Sequence, residues 1–161
     1  MPRKPPERPC ETIAAIATAP GRGGIGVVRI SGANLAQFAI SLCGLMPRPR
    51  HATLVDFSDA EGSAIDSGLL LFFPAPHSFT GEDTLEIHCH GGPLILEEVL
   101  TAVLRAGARP AEPGEFTRRA FLNDRLDLAQ AEAVQEMITA RSQRGLDFAL
   151  GHLRGGLSRA I

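Results

Sequence analysis

Glu86, His88 and His90 stand at alternate positions in the stretch DTLEIHCHGG, residues 83–92. In an extended strand, alternate side chains share a face and lie about 6.5–7 Å apart. One carboxylate and two imidazoles therefore project on one side, while Leu85, Ile87 and Cys89 take the other. Two chemistries suit such a row. A Glu/His/His set can ligate a divalent metal, or a polar strand face can line a pocket whose carboxylate accepts N–H groups from an organic ligand. H-x-H alone is a weak metal signal and no second cluster of ligand-type residues follows it, so the organic-ligand reading is preferred.

A second constellation precedes it. Gly21, Gly23 and Gly26 in APGRGGIGVVRIS, residues 19–31, have the G-x-G-x-x-G spacing that receives a dinucleotide pyrophosphate. That chemistry needs a helix directly after the loop, because the helix N-terminus holds the phosphates. The β-branched IGVVRIS predicts a strand there instead. No acidic residue stands about twenty positions downstream to hold a ribose, and no G-K-[ST] ending follows. The spacing is read as a glycine-rich hairpin connection, whose missing side chains permit close backbone approach. Arg29, in the strand that follows, shares a face with Ile25 and Val27. It is either a surface cation on an edge strand or a pocket cation in need of a carboxylate. Arg125, beside Asp124 in the charge-dense PGEFTRRAFLNDRLDLAQAEA (113–133), is a candidate anion contact just inside a helix cap. Composition alone reads that segment as a solvated helix terminus.

Positioning these side chains requires a scaffold, and the pattern supplies one. ETIAAIATA (11–19) predicts a buried strand ended by Pro20-Gly21, and IGVVRIS (25–31) a second strand. GANLAQFAISLCG (32–44) predicts a helix closed by Gly44, and MPRPRH (46–51) a linker. ATLVDFS (52–58) and AIDSGLLLFFP (64–74) predict strands joined by a turn. After the DTLEIHCHGG strand, Pro93 can open a helix. In PLILEEVLTAVLRAGA the polar residues Glu97, Glu98, Thr101 and Arg105 share one face and the apolar remainder faces the sheet. Gly107 provides the stop. From Leu126 onward there is neither proline nor strand signal. Asp124 is expected to cap a helix carrying Leu128, Ala131, Val134 and Ile138. Ser142 is expected to begin another with Leu146, Leu150, Leu153 and Leu157. Two such helices cannot bury their apolar faces alone, so they are expected to pack on a partner chain or on further polypeptide. Strands interspersed with helices, without strict alternation, indicate an α+β fold.

The chain has 161 residues, 44% hydrophobic and 21% charged, ordinary values for a globular protein. A net charge of -2 supplies no global basic field for nucleic acid. With eight Phe and no Trp or Tyr, a base-stacking platform is not expected. Cys10, Cys43 and Cys89 form no C-x-x-C pair, which argues against a disulfide framework or a structural zinc site and for a reducing compartment. The apolar run LLLFF (69–73) is far too short to span a bilayer. MPRKPPERPCE, at the N-terminus, lacks the apolar region of a secretory signal and is expected to be a disordered lead-in.

Three blocks, APGRGGIGVVRISG, SFTGEDTLEIHCHGGP and PGEFTRRAFLNDRLDLAQAEA, resemble the N-terminal signatures of the bacterial and organellar tRNA-modification GTPases, the MnmE/TrmE family. They occur in the family's order, and the resemblance runs from about Thr12 to the last residue. With 1–11 set apart as the disordered extension read from composition, it implies a mixed-sheet domain over 12–123, similar to the folate-binding aminomethyltransferases. That domain would bind 5-formyltetrahydrofolate and form a homodimer. Residues 124–161 would be the first helices of a helical domain. In the family, a Ras-like domain inserted in that helical part binds GTP, magnesium and potassium. With a flavin-dependent partner, such cytoplasmic enzymes install 5-carboxymethylaminomethyl-type groups on the wobble uridine of tRNA, without a membrane. This sequence carries no P-loop, no Asn-Lys-x-Asp motif and no C-terminal cysteine motif, so no residue of it is assigned to GTP hydrolysis. The family's folate contacts map onto Arg29 in VVRIS, Glu86 in LEIHC and Arg125 in NDRLD, where the family commonly has Lys. No catalytic residue and no metal ligand is assigned. Glu86 suits the adjacent N–H donors of a pterin, and the anionic folate tail suits either Arg29 or Arg125. Two alternatives stand beside this: a structural dimerisation module with a vestigial pocket, and a stand-alone folate-dependent aminomethyltransferase-like protein.

Overall fold

The computed structural model describes residues 11–154, so the expected lead-in before residue 11 and Leu157 lie outside the described residues. Two compact units are present. The first comprises residues up to Ser78 together with Glu82–Ala111; the second comprises Phe79–Gly81 and the chain from Glu112 onward.

In the first unit six strands form one mixed sheet. They are β1 (Ile13–Ile16), β2 (Gly23–Gly32), β3 (Thr53–Ser58), β4 (Ala64–Phe73), β5 (Asp83–Gly91) and the short β6 (Arg109–Pro110). Their order is β3-β4-β5-β2-β1-β6, antiparallel throughout except for the parallel β1–β6 pair. Two helices accompany it, α1 (Ala36–Cys43) and α2 (Pro93–Arg105). The fold is the expected α+β type with a mixed sheet.

Side-chain alternation divides the sheet into two faces. Val28, Ile30, Leu70, Phe72, Leu85 and Ile87 point to one side, where they join Phe38 of α1 and Val99 of α2 in a single core. Each such side chain contributes about 1.5–3 kcal/mol by leaving water. On α2, Leu96, Val99, Ala102 and Val103 are buried while Glu97, Glu98, Thr101 and Arg105 stay exposed, as their helical spacing requires. Gly44 closes α1 in the left-handed conformation at φ 72°, which glycine adopts without strain.

The glycine-rich connection leads into a strand, not a helix. β2 pairs with β5 through a bulge between Gly23 and Gly26. A Cβ on Gly91 would stand 2.5 Å from the Gly23 carbonyl oxygen, and one on Gly26 2.7 Å from Leu96 Cδ2. These glycines seat strand on strand and α2 on the sheet. The cleft of about 390 Å³ beside the loop is lined by Ile16, Leu96 and the carboxylate-bearing Glu97, among others, which suits no phosphate.

The second unit carries α3 (Glu115–Leu122), α4 (Leu128–Thr139) and α5 (Gln143–Leu153). Here the expected cap is corrected. Asp127, not Asp124, is the N-cap of α4. Its side chain accepts from the Gln130 amide at 2.8 Å, while the Gln130 side chain accepts from the Asp127 amide at 2.9 Å. That reciprocal box outcompetes Asp124, which has no Glu or Gln three residues on. Asp124 instead takes φ 55° after α3. Its amide bonds to the Phe121 carbonyl and that of Arg125 to the Ala120 carbonyl, a Schellman termination. Ser142 caps α5 as expected, accepting from the Gly145 amide at 3.1 Å. The apolar positions of α4 are only partly covered: Ala133 is buried, whereas Leu128 and Ile138 are exposed. No helix among the described residues is long and apolar enough to cross a membrane.

Candidate functional site

Arg29 and Glu86 are direct cross-strand partners between β2 and β5. Both lie on the sheet face opposite the core, flanked by the half-buried Val27 on β2 and Leu71 on β4, which pairs with Glu86. Alternation puts them there: each residue between them and their neighbours is a core aliphatic, so the polar partner must turn away. β2 stands between β5 and β1, so Arg29 is not on an edge strand, and that alternative is corrected; the carboxylate it meets is one of its own chain. The guanidinium donates twice to one carboxylate oxygen, Nε at 2.9 Å and a terminal nitrogen at 2.7 Å from Glu86 Oε1. Side-chain exposure is 28% for Arg29 and 16% for Glu86, so the pair is partly shielded from water.

His88 completes the group. Its Nε2 lies 3.1 Å from the other oxygen, Glu86 Oε2. An ionised carboxylate only accepts, so Nε2 carries the proton. Burial by itself raises the Glu86 pKa. Hydrogen bonds from His88 and Arg29, and the positive charge beside it, outweigh that penalty and hold Glu86 below the ordinary carboxylate range.

His90 does not join this group. Its ring Nδ1 lies 2.8 and 3.0 Å from the two oxygens of Asp66 on β4, and its amide donates to Asp66 at 2.8 Å. Burial raises the Asp66 pKa, but the bonds from the His90 amide and ring, that from the Ser67 amide, and the imidazole charge bring it below its usual value. The alternating row thus resolves into two carboxylate–imidazole pairs, Glu86–His88 and Asp66–His90. Among the described residues no group of three or more His, Cys, Asp or Glu could hold a metal ion. Asp66 was not singled out by sequence reasoning. The sequence carries no local signal for it: only the antiparallel pairing of β4 with β5 brings it to His90, 24 positions away in the chain.

Arg125 belongs to the second unit. It follows the α3 terminus, outside the α4 cap, and is exposed. Its stem lies against the turn at Gly81, φ 79°, where a Cβ would stand 3.1 Å from Arg125 Cγ. Asn123 donates to the Thr80 carbonyl at 2.8 Å and ties that turn down. The charge-dense segment is not wholly solvated, contrary to what its composition suggests. Glu115 and Arg119, one helical turn apart, form a buried pair at 3.1 Å, and Glu115 also accepts from the Glu112 amide at 2.8 Å. Their i,i+4 spacing was the available signal.

The family model described as "GTP-binding protein TrmE N-terminus" matches residues 12–125. The chain is 62% identical over 150 residues to a tRNA modification GTPase MnmE of Neisseria meningitidis serogroup C / serotype 2a, covering 93% of this chain and 34% of that protein. It is 61% identical over 154 residues to that of Azoarcus sp., covering 96% and 34%. With that of Dechloromonas aromatica it shares 59% identity over 151 residues, covering 94% and 34%. The chain therefore spans about a third of the length of these relatives.

Proposed function

Because the chain belongs to the TrmE N-terminal family, we propose that its sheet domain is the 5-formyltetrahydrofolate-binding and dimerisation portion of a tRNA-modification GTPase. The whole protein would act in the cytoplasm on the wobble uridine of tRNA, with a flavin-dependent partner. GTP, magnesium and potassium would be bound by a domain whose motifs this sequence lacks. The observation that carries the folate reading is the Arg29–Glu86 pair on the sheet face away from the core.

The donor set fits the ligand. A pterin edge offers adjacent N–H donors, and Glu86, held ionised, offers only acceptors. Val27 and Leu71 supply apolar surface for a flat heterocycle. The anionic glutamate tail needs a cation. When bound, the folate would contribute a one-carbon unit; the chain's own residues bind and orient it.

Calorimetric titration of the 161-residue chain with 5-formyltetrahydrofolate tests this reading. Loss of charge-assisted hydrogen bonds should weaken binding by Glu86→Ala about tenfold or more. Parent-like affinity in Glu86→Ala would remove Glu86 from the site. A second reading, a structural dimerisation module, draws on one observation: Glu86 is already engaged on both oxygens by its own chain. Absence of folate binding by the parent chain favours it.

A further inference from the structure

We infer that His88 acts as a latch on the ligand-recognition carboxylate, setting how tightly the site takes a donor-rich heterocycle. The inference rests on the folate reading for the identity of the ligand, and on contacts within the chain for the latch. Each carboxylate oxygen offers about two lone-pair sites. Arg29 fills both on Oε1, with contacts of 2.9 and 2.7 Å. His88 takes one on Oε2, at 3.1 Å. A ligand edge with two adjacent N–H groups therefore finds one site where it needs two. Something must yield. Arg29 makes two short charge-assisted bonds, which are the stronger kind. His88 makes one longer bond from a side chain 29% exposed, so its imidazole has solvent to turn towards. Release of His88 frees Oε2 to accept two donors, in the way Oε1 already does from Arg29. His90 is turned to Asp66, and the residues directly across from His88 are the apolar Val27 and Leu69, which offer no donor in its place.

His88 is thus an affinity-determining residue whose removal strengthens binding. A merely structural role would do the opposite. The experiment compares the 161-residue parent with His88→Leu and His88→Gln, titrated by calorimetry with 5-formyltetrahydrofolate and with free pterin, which has no tail. Leucine cannot donate, so its variant should bind both probes about three- to tenfold more tightly, as loss of one competing hydrogen bond implies. Glutamine keeps a donor and should return affinity towards the parent. Equal or weaker binding by His88→Leu would overturn the latch. If no form binds either probe, the folate reading fails. The His88–Glu86 contact on which the latch stands is then tested separately by the nitrogen spectrum of the His88 ring. A proton held on Nε2, lost from that position in Glu86→Gln, upholds the contact; a ring protonated on Nδ1 and insensitive to Glu86→Gln refutes it.

Discussion

Severing the Arg29–Glu86 pair should cost stability in a way that acid erases. The perturbation is a double-mutant cycle of Arg29→Met, Glu86→Gln and the combination, each keeping most of the original shape. Fully exposed pairs couple by about 0.2–1 kcal/mol, and breaking a buried pair costs about 3–5 kcal/mol. With side chains 28% and 16% exposed and two N–H groups on one oxygen, a coupling of about 1–2 kcal/mol at pH 7 is expected. Urea unfolding followed by far-ultraviolet circular dichroism measures it, since the chain has no Trp or Tyr to report by fluorescence. Melting of the helical unit enters all four proteins alike and cancels. The folded-state pKa of Glu86 lies below the ordinary value. Its stabilisation is therefore fully present above the unfolded-state pKa of about 4.3 and is lost as pH falls through the folded-state value. A coupling under about 0.5 kcal/mol at pH 7, or one that persists undiminished in strong acid, would refute the reasoning.

Other consequences concern the scaffold. Gly91→Ala forces a methyl to within 2.5 Å of the Gly23 carbonyl and should destabilise by about 1–3 kcal/mol. Gly24→Ala meets nothing within 4 Å and should be close to neutral; urea midpoints that do not separate the two would contradict the close-approach account of the loop. Asp127→Ala removes one half of the α4 capping box and should cost about 0.5–2 kcal/mol. Faster amide exchange confined to the first turn of α4 is the expected signature, and unchanged protection there would count against it.

Much of this protein was legible in its sequence because the signals are local. Period-two alternation in DTLEIHCHGG placed Glu86 and His88 on one face, and the same rule put Arg29 on one face with Val27; the structure shows that face to be the one opposite the core. Pro93 and Gly44 punctuated their helices where proline and glycine chemistry demands. The strand after the glycines settled that the fingerprint is not a phosphate cradle, because a strand presents no row of free N–H groups along its axis. The cap of α4 falls at Asp127 and not at the expected Asp124, although its D-x-x-Q box is a local signal too.

Partnership was beyond the sequence alone. Whether His88 and His90 act together or separately depends on which strand lies beside β5 and in what register. That register gives His90 to Asp66 and leaves His88 to Glu86. Burial of Glu115 with Arg119 is likewise a tertiary outcome, since composition registers charge and not desolvation. Alternation is carried by the backbone of a single strand and needs no neighbour. Pairing is chosen between strands distant in the chain, where hydrophobic burial of the opposite face determines the register and the polar partners follow.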